Sequence, residues 1–161
     1  MTSIDKFVSY FSDDFARNNN FKTTWNGAGL NSEALGMSCK SIDIPGITIN
    51  DGVYDGRKFG VGYDFDSFSA SFLVDSYNNI LFELNMWSEK VYNSKKGKFG
   101  FKEDYAIDVG IILYTRDYNE AANIKIINVF PVNISPIPIA WDNSEIMEIS
   151  VSFDFDRYEY S

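Results

Sequence analysis

Two short runs place carboxylates two residues apart: Asp64-Phe65-Asp66 and Asp154-Phe155-Asp156. On an extended strand this spacing puts both acids on one face. Such a pair would bind a cation or share a proton in acid–base catalysis. Neither run continues into the alternating oxygen ligands, central glycine and terminal glutamate of a calcium loop. Solvated surface acid is therefore the expected state, and no metal site is assigned. Histidine is absent, which removes Ser-His-Asp triads, Cys-His dyads and imidazole zinc sites. Cys39 stands alone, so neither an intrachain disulfide nor a cysteine-rich metal site is expected. Lys95-Lys96-Gly97-Lys98 is too short and isolated for a nucleic-acid patch in an acidic chain, and it reads as an exposed loop. Asn50-Asp51-Gly52 is a turn signal, and nothing matches a phosphate-binding loop. No catalytic residue and no cofactor is assigned, and the chain reads as a non-enzyme.

The elements that hold these residues are legible in the patterning. The chain has 161 residues and formal net charge −9, which fits one domain spanning residues 1–161. The negative surface repels phosphate backbones and anionic lipid, so groove binding is not expected. No apolar run approaches the ~18–20 residues of a membrane span. No secretory signal is read at the N-terminus, and synthesis in a reducing cytosol is expected. Abundant Phe, Tyr and β-branched residues favour strands.

Ile4, Phe7, Val8, Phe11 and Phe15 recur at helical spacing, which predicts a helix over roughly Ser3 to Phe11, capped by Ser3 and docked by its aromatic face. Strands are expected over Phe21–Trp25 and Met37–Ile44. Ile47 to Gly62 carries Asp55-Gly56 and further glycines, so residues 47–62 read as an extended hairpin arm. Phe68 to Val74 alternates between buried apolar and small polar positions. In residues 77–92, Ile80, Leu84, Trp87 and Val91 form one helical stripe facing a sheet. Tyr105–Tyr118 and Asn123–Phe130 predict a long hairpin, after which Pro131, Pro136 and Pro138 predict an irregular or edge path. Met147, Ile149, Val151, Phe153 and Phe155 alternate with Glu148, Ser150, Ser152, Asp154 and Asp156, the pattern of a half-buried antiparallel strand. The expected fold is mainly β: an antiparallel sandwich or barrel flanked by a central amphipathic helix and a short N-terminal helix.

An ordered set of segments carries a resemblance: Asp14-Phe15-Ala16-Arg17-Asn18, Ser38-Cys39-Lys40-Ser41 leading into Ile44-Pro45-Gly46, Gly56-Arg57-Lys58-Phe59, Asp66-Ser67-Phe68-Ser69 and Trp141-Asp142-Asn143-Ser144-Glu145-Ile146. In order and spacing the chain resembles the tail tube protein of contractile-tailed bacteriophages of the T-even type, a superfamily shared with type VI secretion and pyocin tubes. The resemblance spans the whole length. It departs in the loops, where Asn26 to Leu35 is longer and Asn93 to Lys102 is differently charged.

The resemblance implies hexameric rings whose strands join into a continuous inner barrel, and rings that stack into the tube of a virion tail. It implies a sheath outside, the tape-measure protein and transiting DNA inside, and a baseplate tube initiator and tail terminator at the ends. The expected lumen residues are Ser69, Ser71, Ser150, Ser152, Asp154 and Asp156. The expected contacts between subunits and rings are Phe15, Arg17, Val53, Tyr54, Arg57 and Phe59. Two alternatives stand beside this reading. One is a tube initiator or similar adaptor. The other is an acidic β-sandwich that binds a ligand such as carbohydrate through Trp25 and Trp141.

Overall fold

The computed structural model describes residues 2–10 and 15–161. The chain opens with helix α1 (Ser3–Tyr10). Its cap is Thr2, whose hydroxyl accepts from the Asp5 N–H at 3.2 Å while the Asp5 carboxylate accepts from the Thr2 N–H at 3.0 Å. This reciprocal pair is a capping box, and it displaces the expected cap by one residue. Ile4, at 72% exposure, and Val8 face solvent, and α1 buries no residue. The expected docking by an aromatic face is thus corrected for the described part of this segment. Phe11, at its expected end, and Asp14 lie outside the described residues.

Strand β1 (Phe21–Asn26) is followed by helix α2 (Ser32–Ser38), a helix that the strand expected from Met37 did not foresee. Asn31 caps α2 by accepting from the Ala34 N–H at 3.2 Å. Gly36 lets α2 lie close on β1: a Cβ there would stand 2.9 Å from the Thr23 carbonyl oxygen. Strand β2 (Cys39–Ile42) leads to a hairpin of β3 (Ile47–Tyr54) and β4 (Arg57–Phe65), then β5 (Phe68–Leu73). Helix α3 (Asn79–Val91) buries Ile80, Leu84 and Trp87 from its predicted stripe, and Asp75 accepts from its first N–H at 2.7 Å. A small hairpin, β6 (Tyr92–Asn93) and β7 (Lys98–Phe99), carries the lysine run. Then come α4 (Lys102–Tyr105), β8 (Ile107–Tyr114), β9 (Glu120–Ile134), β10 (Glu148–Asp154) and β11 (Arg157–Tyr160).

The main sheet runs β1-β8-β9-β10-β5-β2 and is antiparallel throughout, with β11 also on β9. Strand β9 belongs to two wings. Its first part pairs with β8 and β11, and residues 130–134 pair with β10. The strand continues through Pro131, where an irregular path was expected, because the register shifts beside that proline. Between its two parts Asn128 adopts a left-handed conformation (φ 58°), which asparagine tolerates better than most residues. Its side chain donates to Asp156 at 2.6 Å and its N–H to Asp108 at 3.3 Å, so the bend is hydrogen-bonded to β8 and to the turn between β10 and β11.

The inner faces of the wings meet around aromatic rings. Phe153 of β10 lies 5.3 Å from Trp25 of β1, 5.3 Å from Phe68 of β5 and 5.5 Å from Trp87 of α3, centroid to centroid. The two indoles satisfy their N–H groups internally: Trp25 donates to Thr23 at 3.0 Å and Trp87 to the Tyr105 carbonyl at 2.6 Å. The architecture is therefore mainly β with flanking helices, as the patterning predicts. Truncating Phe153 to Ala removes the ring on which both wings and α3 converge. The expected cost is ~3–5 kcal/mol, to be read as a fall in urea midpoint by circular dichroism.

Candidate functional site: an exposed serine face and a projecting arm

The outer face of the second wing gathers most of the expected lumen residues. Alternation along β10 turns Ile149, Val151 and Phe153 inward and leaves Ser150, Ser152 and Asp154 outside. Register then sets Ser150 opposite Ser71, and Ser152 opposite Ser69. Their hydroxyls lie 3.1 Å and 3.4 Å apart, so each pair forms a cross-strand hydrogen bond. Ser41 and Asn133 extend these two rows onto β2 and β9.

The acids around this serine band are differently placed. Glu148 is paired with Lys40 at 2.5 Å. Asp154 is exposed and accepts from the Phe155 N–H at 3.1 Å. Asp156 sits at the bend between β10 and β11, with one oxygen 2.6 Å from Lys102 and the other 2.6 Å from Asn128. These bonds, the Lys102 ammonium first, hold its carboxyl below the usual carboxylate range. This face is thus a neutral hydroxyl band with acids at its ends, two of which, Glu148 and Asp156, are matched by lysines.

The second carboxylate pair belongs to the arm. Asp64 accepts from Asn50 at 3.1 Å and Asp66 from Thr48 at 3.3 Å, so Asp64 staples β3 to β4 and Asp66, the residue that follows β4, is tied to β3. Among the described residues no group of three or more Cys, Asp or Glu side chains is arranged to hold a metal.

The arm itself is rooted in the core. Phe65 packs 5.5 Å from Phe155 and 5.2 Å from Tyr158. Beyond that root Val53, Tyr54, Arg57 and Phe59 are all exposed, and Asp55-Gly56 turns the hairpin with φ of 52° and 70°. A register shift between Asn50 and Asp51 leaves Val61 as an extra residue on β4. Phe15 and Arg17 are exposed on the segment that leads into β1. Arg17 lines a cleft shared with Lys40, Ser41 and Ile42 of β2. Trp25 is fully buried and unavailable to any ligand, which removes one half of the expected carbohydrate platform. Cys39 is half-buried, and desolvation pushes its thiol up to about 11.

A family model described as phage tail tube protein matches residues 6–161. The chain belongs to the phage tail tube protein family. Tail tube proteins are structural subunits and not enzymes. A search among curated proteins returned no match.

Solved structures share the tube fold at low identity. A chain from the anti-feeding prophage tube-terminating cap is 14% identical with TM-score 0.69, each chain covered to 91%. A chain from the sheath–tube complex of an extracellular contractile injection system is 12% identical with TM-score 0.61, covering 100% of this tube protein and 98% of that chain. Hcp1 from Flavobacterium johnsoniae is 9% identical with TM-score 0.54, at 88% and 94% coverage. Among the described residues no helix is long and apolar enough to cross a membrane.

Sequence pattern found the serine face because strict alternation exposes it. It missed the matching of acids by Lys40 and Lys102, which depends on contacts across 108 and 54 residues. Since the folded Asp156 carboxyl titrates below its unfolded value, its stabilising effect is present above the usual carboxylate range. That effect is lost as pH falls through the folded value. Asp156→Asn is expected to flatten the acid limb of melting temperature against pH below about pH 4, by no more than ~1 kcal/mol because the pair is solvent-screened.

Proposed function

We propose that this tail tube protein forms closed rings by pairing sheet edges between copies, and that the serine face lines the resulting channel. The observation that carries this reading is the pair of open edges on the second wing. Among the described residues no strand pairs with the outer edge of β2, nor with the outer edge of residues 130–134 of β9. An open edge is a template for another chain, and a strand added there gains main-chain hydrogen bonds. Joining β2 of one copy to residues 130–134 of the next extends the wing by one copy at each step. A closed sheet of this kind has no lateral edge left.

In that ring the buried face of the wing points to the helices and the outer face to the bore. Six copies per ring, and rings stacked into a tube, follow the pattern that the resemblance implies. Ser69, Ser71, Ser150, Ser152 and Asp154 then border the channel, while Asp156 marks its rim. The tape-measure protein would occupy the bore during assembly and DNA would cross it during ejection. Hydroxyls already bonded to one another, with few unmatched charges, offer phosphates little to hold. The sheath lies outside, and the arm, Phe15 and Arg17 supply contacts between subunits and rings. Baseplate initiator and tail terminator close the ends, as the resemblance implies, and the fold is shared with a chain of a tube-terminating cap. The whole chain acts as one tube domain of a virion tail, made in the host bacterial cytoplasm.

A second reading is a minor tube-like adaptor, favoured by the likeness to a chain of the cap structure. Negative-stain microscopy of purified protein separates the two: the main tube subunit gives tubes many rings long, and an adaptor gives isolated rings. Strictly monomeric protein in the presence of a nucleating baseplate would overturn both.

Edge pairing makes a sharper prediction. The Asp43 N–H donates inward to Ser69 at 3.0 Å, so alternation turns the Ile42 N–H to the open edge. Ile42→Pro should abolish rings while preserving the circular dichroism spectrum, and Ile42→Val should retain them. The bore makes another. Lysines at Ser69 and Ser152 should leave tube length unchanged and slow genome release, with the delay relieved by added salt. Unaltered release kinetics at low salt would count against a channel on this face.

A further inference from the structure

The arm poses a packing problem that its own chain leaves open. Ile49, Tyr54 and Val61 are 70%, 79% and 69% exposed, and a two-stranded ribbon without a covered face is marginal in water. The extra residue at Val61 divides this apolar surface. On the root side, Ile47 and Ile49 face Phe65 and Tyr63 across the hairpin, on one face. On the tip side, Phe59 pairs with Gly52 on the opposite face, and a Cβ at Gly52 would stand 2.9 Å from Val61. One flat partner therefore cannot cover both ends of the arm. The root continues into the core through Phe65. The tip needs something else.

The same molecule carries an open cleft of matching character. It lies between the end of β2 and the ends of β1, β8 and β9, with a volume of about 1090 Å³. Phe21, Ile42, Ile44, Ile111, Leu113 and Ala122 supply its apolar walls. Ile44 brings the cleft next to the root of the arm, which begins at Ile47. The tip stands about 25 Å further along the hairpin, at ~3.4 Å per strand residue, and its side chains are exposed and so do not fill their own cleft. Plug and socket are thus displaced by one arm length on each copy. A contact of this heterologous kind propagates from copy to copy and does not stop at a pair. The rim is mixed in charge: Arg17 and Lys40 line the cleft beside Asp43, Lys40 is paired with Glu148, and neither Asp43 nor Arg57 at the tip is in an ion pair among the described residues.

We propose that this cleft is the socket for the arm tip of a second copy, entered by Phe59 and Val61 with Arg57 directed to Asp43. The proposal rests on the tube reading above and adds the acceptor surface, which that reading leaves unassigned. It is tested by disulfide trapping in a Cys39→Ser background. Phe59→Cys is combined with Ala122→Cys, or with Ala121→Cys as an alternative cleft position. Phe59→Cys with Glu145→Cys, outside the cleft, is the control. Each sample is oxidised, run on a denaturing gel and imaged by negative stain.

The expected result is a ladder of covalent multimers from the cleft pairs, at least tenfold stronger than from the control or from either single cysteine. Rings or tubes with a ladder no stronger than the control would overturn the socket and leave the tube reading intact. A ladder from Phe59→Cys alone would show tip-to-tip contact and overturn the socket as well. Monomers with no ladder would overturn both.

Discussion

Burial of Phe153 is the contact on which the rest of this subunit depends. Its ring touches one indole from β1, another from α3 and a phenyl ring from β5. The first wing, the second wing and the long helix are therefore fixed relative to one another through a single side chain. Everything displayed on the outside follows from that point. Because Phe153 points inward, its neighbours Ser152 and Asp154 must point outward, and cross-strand register then decides which hydroxyls of β5 they meet. The polar face is in this sense the reverse side of the aromatic core.

The sequence made this part of the molecule legible because its pattern is local. A run of apolar and polar residues alternating from Met147 to Asp156 has one sensible reading, and the helical stripe through Ile80, Leu84 and Trp87 has another. The failures are equally physical. Helix α2 went unseen because Gly36 and two serines weaken its propensity. Its cap at Asn31 and its seat against Thr23 make up the difference, and the seat is a tertiary contact. The apolar spacing of α1 is real, yet its described part buries nothing within the subunit, since amphipathic pattern does not say which molecule supplies the partner surface. Pro131 suggested an interruption, but the register shift beside it lets β9 continue. The site was legible in its serines and not in its charges. Lys40 and Lys102 are far in sequence from the acids they match, so a wall that looked acidic residue by residue is close to neutral at its centre.

Two surfaces of opposite character follow from one chain. The serine face is made of short side chains, four of which are hydrogen-bonded in cross-strand pairs. The arm is made of large apolar side chains that its own core leaves uncovered. The channel proposed above would call for both properties in one subunit, and Asp66 and Ser67 are the residues that lie between the arm and β5.

The bend at Asn128 has a geometrical consequence of its own. It lies between the parts of β9 that belong to the two wings, and the carboxylates of Asp108 on β8 and Asp156 in the turn before β11 hold it. In any closed ring of identical copies the subunit's internal angles enter once per copy, so a small error at this residue would accumulate around the circumference. It would end as a gap or an overlap at the last joint. A hydrogen-bonded asparagine in place of a freely pivoting glycine keeps that tolerance narrow, and makes curvature a property each monomer possesses before assembly begins.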